Sequence, residues 1–443
     1  MGRKGFSFAL SFVCAAGLLA PWLGGAHGVV EALGTDLLTW EFSLGKIHPG
    51  IVAQTLIVSP DSRRMAYFAL RGGKGLLVVD GVEGKEYDFL AAPGPVFSPD
   101  SKRVAYAAGR AGTRSVVVDG VEGKGYNDIG KGTIVFSPDS RRVAYAAQRS
   151  GKWVVVVDGV EGKEYDGIGE NGLVFSPDSR RVAYGALRGR KRLVVVDGVE
   201  GKEYDNIGKG TLVFSPDSRR VAYAAQRSGK WVVVDGVEGK EYDGIGESCL
   251  LFSPDSKLVA YTVGRGGKQL VVVDGVEGKE YDGIGKGTLV FSPDSKRVAY
   301  APQRGRERLV VVDGVEGKEY DGILDGTLVF SPDSKRIAYA PQRGGKWLVV
   351  VDGVEGKEYD GIGANGLVFS PYSEHVAYNA RRGGEWLVVV DAVEGKAYQG
   401  FVRGSRLIFD SPKRFHTLAL TGGEPFRVEI EIVTPATATV VPH

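Results

Sequence analysis

Short apolar runs alternate with polar, glycine-bearing turns along nearly the whole chain. Residues 287–322, GTLVFSPDSKRVAYAPQRGRERLVVVDGVEGKEYDG, show the unit. Residues 288–291 are an apolar run of strand length. Ser292-Pro293-Asp294-Ser295 follows, with Pro where a type I turn wants its fixed φ. Residues 297–301 predict a second strand, and a Gly-bearing loop over 303–307 leads to a third at 309–312. Asp313-Gly314 opens the next turn, a strong hairpin signal, and residues 319–323 predict the fourth strand. Four strands of about five residues joined by short turns make an antiparallel meander. No segment shows sustained helical spacing.

The unit is copied. The Ser-Pro pair recurs at Ser59, Ser98, Ser137, Ser176, Ser215, Ser253, Ser292, Ser331 and Ser370, at intervals of 39 residues and once 38. A constant period of this length marks a repeat architecture. The short interval arises at Trp231, which three Val follow where four follow Trp153. Residues 154–157 are apolar at consecutive positions, which predicts a strand buried on both faces. The last strand carries Lys, Glu and Asp, as an exposed edge does. Radially packed four-stranded blades satisfy both demands, so the fold class expected is an all-β propeller. An open β-solenoid is the rival. Its stacked strands pair in parallel, which the tight Ser-Pro-Asp and Asp-Gly turns oppose.

The ends predict closure. Residues 37–62 align without a gap on residues 76–101, so the N-terminus holds the tail of a blade. Thr421-Gly422-Gly423-Glu424 lies 39 residues after Arg382-Gly383-Gly384-Glu385, so the C-terminus holds a blade's beginning. Its first three strands are expected at 407–409, 415–420 and 426–433, with residues 45–51 supplying the fourth. Residues 37–433 then form one propeller of nine repeats plus a composite closing blade, about ten in all. Residues 37–42 and 427–433 both align with the third strand, and only one can fill it.

The segment from Phe291 to Tyr300, FSPDSKRVAY, resembles the FSPDG-K-[RK]-[IV]-A-[FY] core of the TolB-type, WD40-like β-propeller repeat, and the match covers about residues 37–433. The chain departs from that pattern in carrying Ser, such as Ser295, where the family usually has Gly. It also lacks the Trp-Asp dipeptide of eukaryotic WD40 repeats. The resemblance implies a propeller with an interaction or scaffold role. It implies no one ligand, since a fold does not fix a function.

Composition narrows the class further. Among 443 residues, 56 Lys and Arg stand against 54 Asp and Glu, so a nucleic-acid-coating chain is not expected. With 2 Cys and 5 His, neither a disulfide framework nor a His/Cys metal site is expected, and no cofactor is called for. Arg3 and Lys4 precede an apolar run over 6–20, then Pro21, Gly24, Gly25 and Ala26. This reads as a signal peptide over 1–26, making the protein secreted or periplasmic. An uncleaved membrane anchor is the alternative. After cleavage Cys249 is the only thiol, and no later stretch is long and apolar enough to cross a bilayer. Residues 434–443 are expected to be a disordered tail.

The most specific candidate pattern is an arginine twelve residues after each repeated Ser: Arg71, Arg110, Arg149, Arg188, Arg227, Arg265, Arg304, Arg343 and Arg382. It falls in the loop between second and third strands. In a meander alternate turns lie on opposite faces, so these loops share one face and the Ser-Pro-Asp and Asp-Gly turns the other. The nine six-residue windows around the arginines carry +19, against +2 for the chain, leaving −17 elsewhere. A ring of guanidinium groups suits carboxylate or phosphate. Trp153, Trp231, Trp347 and Trp386 stand four residues after their arginines, where flat faces can stack on sugars or cations. The plainer reading is that these are solvated turn residues and blade-packing rings, copied with the repeat.

Other positions read as structural. The second-strand tyrosines, such as Tyr300, are expected to pack between blades, and the outer-strand ones, such as Tyr320, to be half exposed. A Ca²⁺ role for Asp313, Glu316, Glu319 and Asp321 finds no EF-hand match. His48, His375 and His416 are scattered, and no nucleophile elbow, Walker loop or dinucleotide fingerprint occurs. The reading is therefore a non-enzymatic binding or scaffold propeller. Its expected partner is an anionic polysaccharide or envelope polymer. The alternatives are an adaptor for another envelope protein, or a glycan lyase or hydrolase with axial carboxylates.

Overall fold

A computed structural model of the chain describes residues 36–246, 250–364 and 366–433. The signal segment, Cys249 and the C-terminal tail lie outside the described residues, which fall in one compact unit, Thr35–Val433. The unit is built from small antiparallel sheets. No helix among the described residues is long and apolar enough to cross a membrane.

The Ser137 repeat shows the local rule. Val135–Phe136 pairs with Val143–Arg149, which pairs with Lys152–Val157, which pairs with Val160–Tyr165. Asp158 and Gly159, at φ 52° and 83°, form the two-residue turn that returns the chain at once. Positive φ at both central positions is the hairpin geometry that matches strand twist. For this reason the fourth strand begins earlier than expected. In the Ser292 repeat it starts at Val315–Glu316 and ends where Tyr320 bridges Arg308. Gly322–Ile323, expected within that strand, instead pairs with Pro341–Gln342 of the following repeat.

Two repeats differ through proline. Pro302 and Pro341 stand where Ala147 and Ala225 stand elsewhere. Proline offers no N–H to the ladder, and each second strand splits there, as in Val298–Tyr300 and Pro302–Arg304. The one-residue deletion after Trp231 is absorbed in the hairpin turn. Asp235 joins the ladder opposite Ala222, and Gly236 alone separates it from Val237.

The apolar runs bury themselves between neighbouring repeats. One cluster joins Ala299, Ala301, Val310 and Tyr320 of the Ser292 repeat to Leu328, Tyr339 and Leu348 of the next. Val154, Val155 and Val156 are all buried, as their consecutive apolar pattern requires. Second-strand Tyr300 is buried as expected, but so is outer-strand Tyr281. Their rings meet edge to face at 6.2 Å, which removes the outer ring from solvent. The same pairing recurs from Tyr87–Tyr106 to Tyr359–Tyr378.

Polar bonds run across the same junctions. The Ser140 hydroxyl accepts the Asp100 N–H of the preceding repeat at 2.9 Å. Arg142 donates to Asp158 of its own repeat at 2.7 Å and to the Ser179 carbonyl of the next at 3.0 Å. Equivalent bonds recur along the array.

At the ends, Asp36–Ser43 pairs along its whole length with Glu424–Val433. The C-terminal segment takes the third-strand position and residues 36–43 the fourth, which resolves the competition between them. Residues 45–51 are therefore not that strand. They lead to Ile51, which bridges Ala69. The Ser62 hydroxyl accepts the Arg406 N–H at 3.0 Å, and Arg63 pairs with Asp410 at 2.6 Å. Met65, Val402 and Leu418 are buried together beside them.

Candidate functional site

Each candidate arginine closes the hairpin between second and third strands. Arg149 pairs with Lys152 in the ladder, and Ser150 and Gly151 form the turn at φ 51° and 82°. The side chain then reaches its own outer strand. Arg149 bonds Glu161 at 2.8 Å and Glu164 at 2.9 Å. Arg227, Arg265, Arg304 and Arg343 hold the equivalent two glutamates at 2.6 to 3.1 Å. Arg71 takes Glu83 and Glu86, and Arg188 takes Glu200 and Glu203. Arg382 takes Glu394 at 2.5 Å. Arg110 departs from the pattern: it bonds the Glu86 carbonyl at 2.7 Å and lies 3.7 Å from Glu122.

The first glutamate of each pair is a hub. Glu161 also accepts Lys124 at 2.6 Å and the Tyr126 hydroxyl at 3.0 Å, both from the preceding repeat. Glu316 collects Lys279, Tyr281 and Arg304 in the same way. Hydrogen bonds from Lys279 and then Arg304 hold its carboxyl down at about 2. Glu355 is held at about 2 by Lys318 and Arg343. Arg343 is raised in turn, first by Glu358 and then by Glu355. The second cation of the loop is engaged too, as in Lys346 with Asp360 at 2.6 Å.

The two-faced charge division expected from the windows is thus not what the side chains make. The basic loops lie against the carboxylates of their own outer strands. The arginine side chains remain 39–60% exposed while holding them. Asp313 pairs with Arg297 and Glu319 with Arg304, so these acids serve separate ion pairs. The four tryptophans are half-buried. Trp347 packs on the cluster of Ile362 and Leu387, and Trp386 meets the Phe401 ring edge to face at 6.3 Å.

Sequence reasoning missed the arginine just before the second strand, of which Arg142 is an example. Its signal was available: it occurs in seven of the nine repeats, with Leu258 and His375 as exceptions. His375 keeps the function, bonding Asp391 at 2.6 Å where Arg336 bonds Asp352 at 2.9 Å. His416 also has a place, between Asp410 at 2.6 Å and the Asp61 carbonyl at 2.5 Å.

No protein-family description and no curated protein matches this sequence. Solved structures with a similar fold include the β-propeller domain of Cps50 (Swd1) from Myceliophteria thermophila. It is 13% identical, with TM-score 0.31, over 60% of this chain and 99% of that one. Hydrazine synthase from Kuenenia stuttgartiensis is 13% identical, TM-score 0.30, over 69% and 97%. The dihydro-heme d1 dehydrogenase NirN is 14% identical, TM-score 0.34, over 72% and 77%. The last two are enzymes by name, so the expectation of a non-enzymatic protein, drawn from repeats without catalytic groups, is corrected. Likeness at this level assigns no reaction to this chain.

Proposed function

We propose that the chain is an exported, closed ten-bladed β-propeller that works as a multivalent binding or scaffold module, with an anionic polymer held at the arginine rim. The observation that carries the reading is the ninefold repetition of one half-exposed guanidinium at equivalent hairpin tips. Closure is supported by the pairing of residues 36–43 with 424–433 and by the Ser62–Arg406 bond. Export is supported by Arg3, Lys4 and the apolar run after them. Because each guanidinium already holds carboxylates, a polymer must compete for it. Single contacts are then weak, and affinity comes from many engaged at once.

The test is binding of the purified chain to immobilised polygalacturonate and to neutral dextran at two salt concentrations. The expected result is retention on the acidic polymer alone, lost at high salt and reduced in an Arg304→Gln/Arg343→Gln variant. Absent or salt-insensitive binding overturns the anionic-partner reading. Cell fractionation tests export separately.

A further inference from the structure

The geometry points to a small-molecule site outside the arginine rim, in a cavity of about 400 Å³ between the Ser176 and Ser215 repeats, suited to a monocarboxylate with an apolar body. That volume lies in the range of ordinary ligand pockets. Three differences from the flanking repeats meet there. Gly172 stands where Thr133 and Thr211 stand in the flanking repeats. Gly185 replaces Ala146 and Ala224, and a Cβ placed on it meets no atom within 4 Å. Arg192 replaces the tryptophan found at Trp153 and Trp231. Two side chains that fill this junction elsewhere are thus trimmed to glycine, and a bulky ring becomes a cation.

Among the described residues the cation has no partner. In the equivalent place Arg114 pairs with Asp128 of the next repeat and lies over the Phe89 ring. Arg308 lies 3.6 Å from Asp325. Where Asp128 would be, the Ser215 repeat carries Asn206, whose Oδ1 already accepts the Ile207 N–H at 3.0 Å. Among the described residues neither the Arg192 guanidinium nor the Lys209 ammonium has a hydrogen bond or ion pair, and both line the cavity. A guanidinium fork and an ammonium lining one cavity suit an oxyanion. Ile168, Leu187 and Ile207 supply an apolar wall for the rest of the ligand. Glu170 lines the same cavity and repels a second negative charge, which favours a carboxylate over a phosphate dianion.

The site does not rest on the rim reading, because neither cation belongs to the nine arginines and one site per chain is expected. The test is calorimetric titration of the full chain with octanoate, octyl phosphate and octylamine. Octanoate is expected to bind at one molecule per chain, more tightly than octyl phosphate, with no binding of octylamine. Arg192→Gln is expected to weaken octanoate about tenfold, the loss of a charged hydrogen bond. Gly185→Leu, which fills the cavity, is expected to abolish binding, with folding checked by its melting curve. Arg192 is exposed, so its variant stays informative if the Leu variant fails to fold. No octanoate binding at millimolar concentration, equal binding of octylamine, or undiminished affinity in Arg192→Gln overturns the proposal.

Discussion

The hydroxyl of Ser295 accepts the N–H of Asp255 at 2.9 Å across the junction between two consecutive repeats. Ser295 is buried and sits at φ 65°, in the left-handed region that favours glycine. The recurrence of serine there has a physical reason. A glycine would relax the backbone but would leave the neighbour's N–H without its acceptor. The same bond recurs from Ser101 to Ser373, each time with Ser at positive φ.

Substitution at Ser295 separates the two effects. Ser295→Ala keeps the left-handed strain and strands the Asp255 N–H, a loss of about 1–3 kcal/mol. Ser295→Gly loses the same bond but recovers about 1–2 kcal/mol of strain. Urea denaturation is expected to rank wild type above Gly and Gly above Ala. An Ala variant as stable as wild type would show that the junction does not depend on this hydroxyl.

Leu258 marks a junction that lacks its arginine. In the preceding repeat Arg220 donates to the carbonyls of Ser256 and Lys257 and pairs with Asp235. Among the described residues Asp274, the counterpart of Asp235, has no cation within 4 Å. Leu258→Arg is expected to raise stability by about 0.5–1.5 kcal/mol, the net worth of an added hydrogen bond. Asp274→Asn is expected to remove part of that gain when combined with it. A destabilised Leu258→Arg protein would mean that the leucine packs better than the staple would bond.

Much of this was legible in the sequence because it is local. Ser-Pro-Asp and Asp-Gly turns carry their own geometry, and the runs of Val declare a strand buried on both sides. What was not legible depends on partners distant along the chain. Residues 37–42 and 427–433 have the same pattern, so only their mutual pairing decides which is outermost. Outer-strand tyrosines sit in a polar stretch and read as half exposed until the next repeat's tyrosine covers them. The rim arginines read as free because the glutamates that hold them lie 11 to 15 residues away, beyond a turn assigned to the other face. Gly172, Gly185 and Arg192 each look like drift, and become a cavity only when folding brings them together.

Thr288 tests the inner loop. Its hydroxyl donates to the Gly285 carbonyl at 2.8 Å and accepts the Ala301 N–H at 3.1 Å. Thr288→Val keeps the shape and removes both bonds. The expected cost is about 1–3 kcal/mol for the stranded buried groups. Hydrogen exchange at the Ala301 amide is expected to quicken more than at amides of distant repeats. Uniform quickening over the chain would show global loosening instead of a local tie.

Acid should reveal whether the rim arginines hold the fold together. Glu200, Glu277, Glu316 and Glu355 are each held at about 2, below the ordinary 4.5. Hydrogen bonds from arginine, lysine and tyrosine are the cause. A carboxyl depressed in the folded state adds stability that is fully present above its unfolded value. That stability is lost as pH falls toward the folded one. The melting temperature is therefore expected to hold near neutrality and fall between about pH 4.5 and 2. High salt should shallow the fall, since these groups face solvent. Glu316→Gln is expected to lower the melting temperature at pH 7 and to remove its share of the acid response. Arg304→Gln should reproduce part of that change if its first task is to hold Glu316. A melting temperature and acid profile unchanged by Arg304→Gln would leave the arginine free of structural duty and strengthen its role toward a partner.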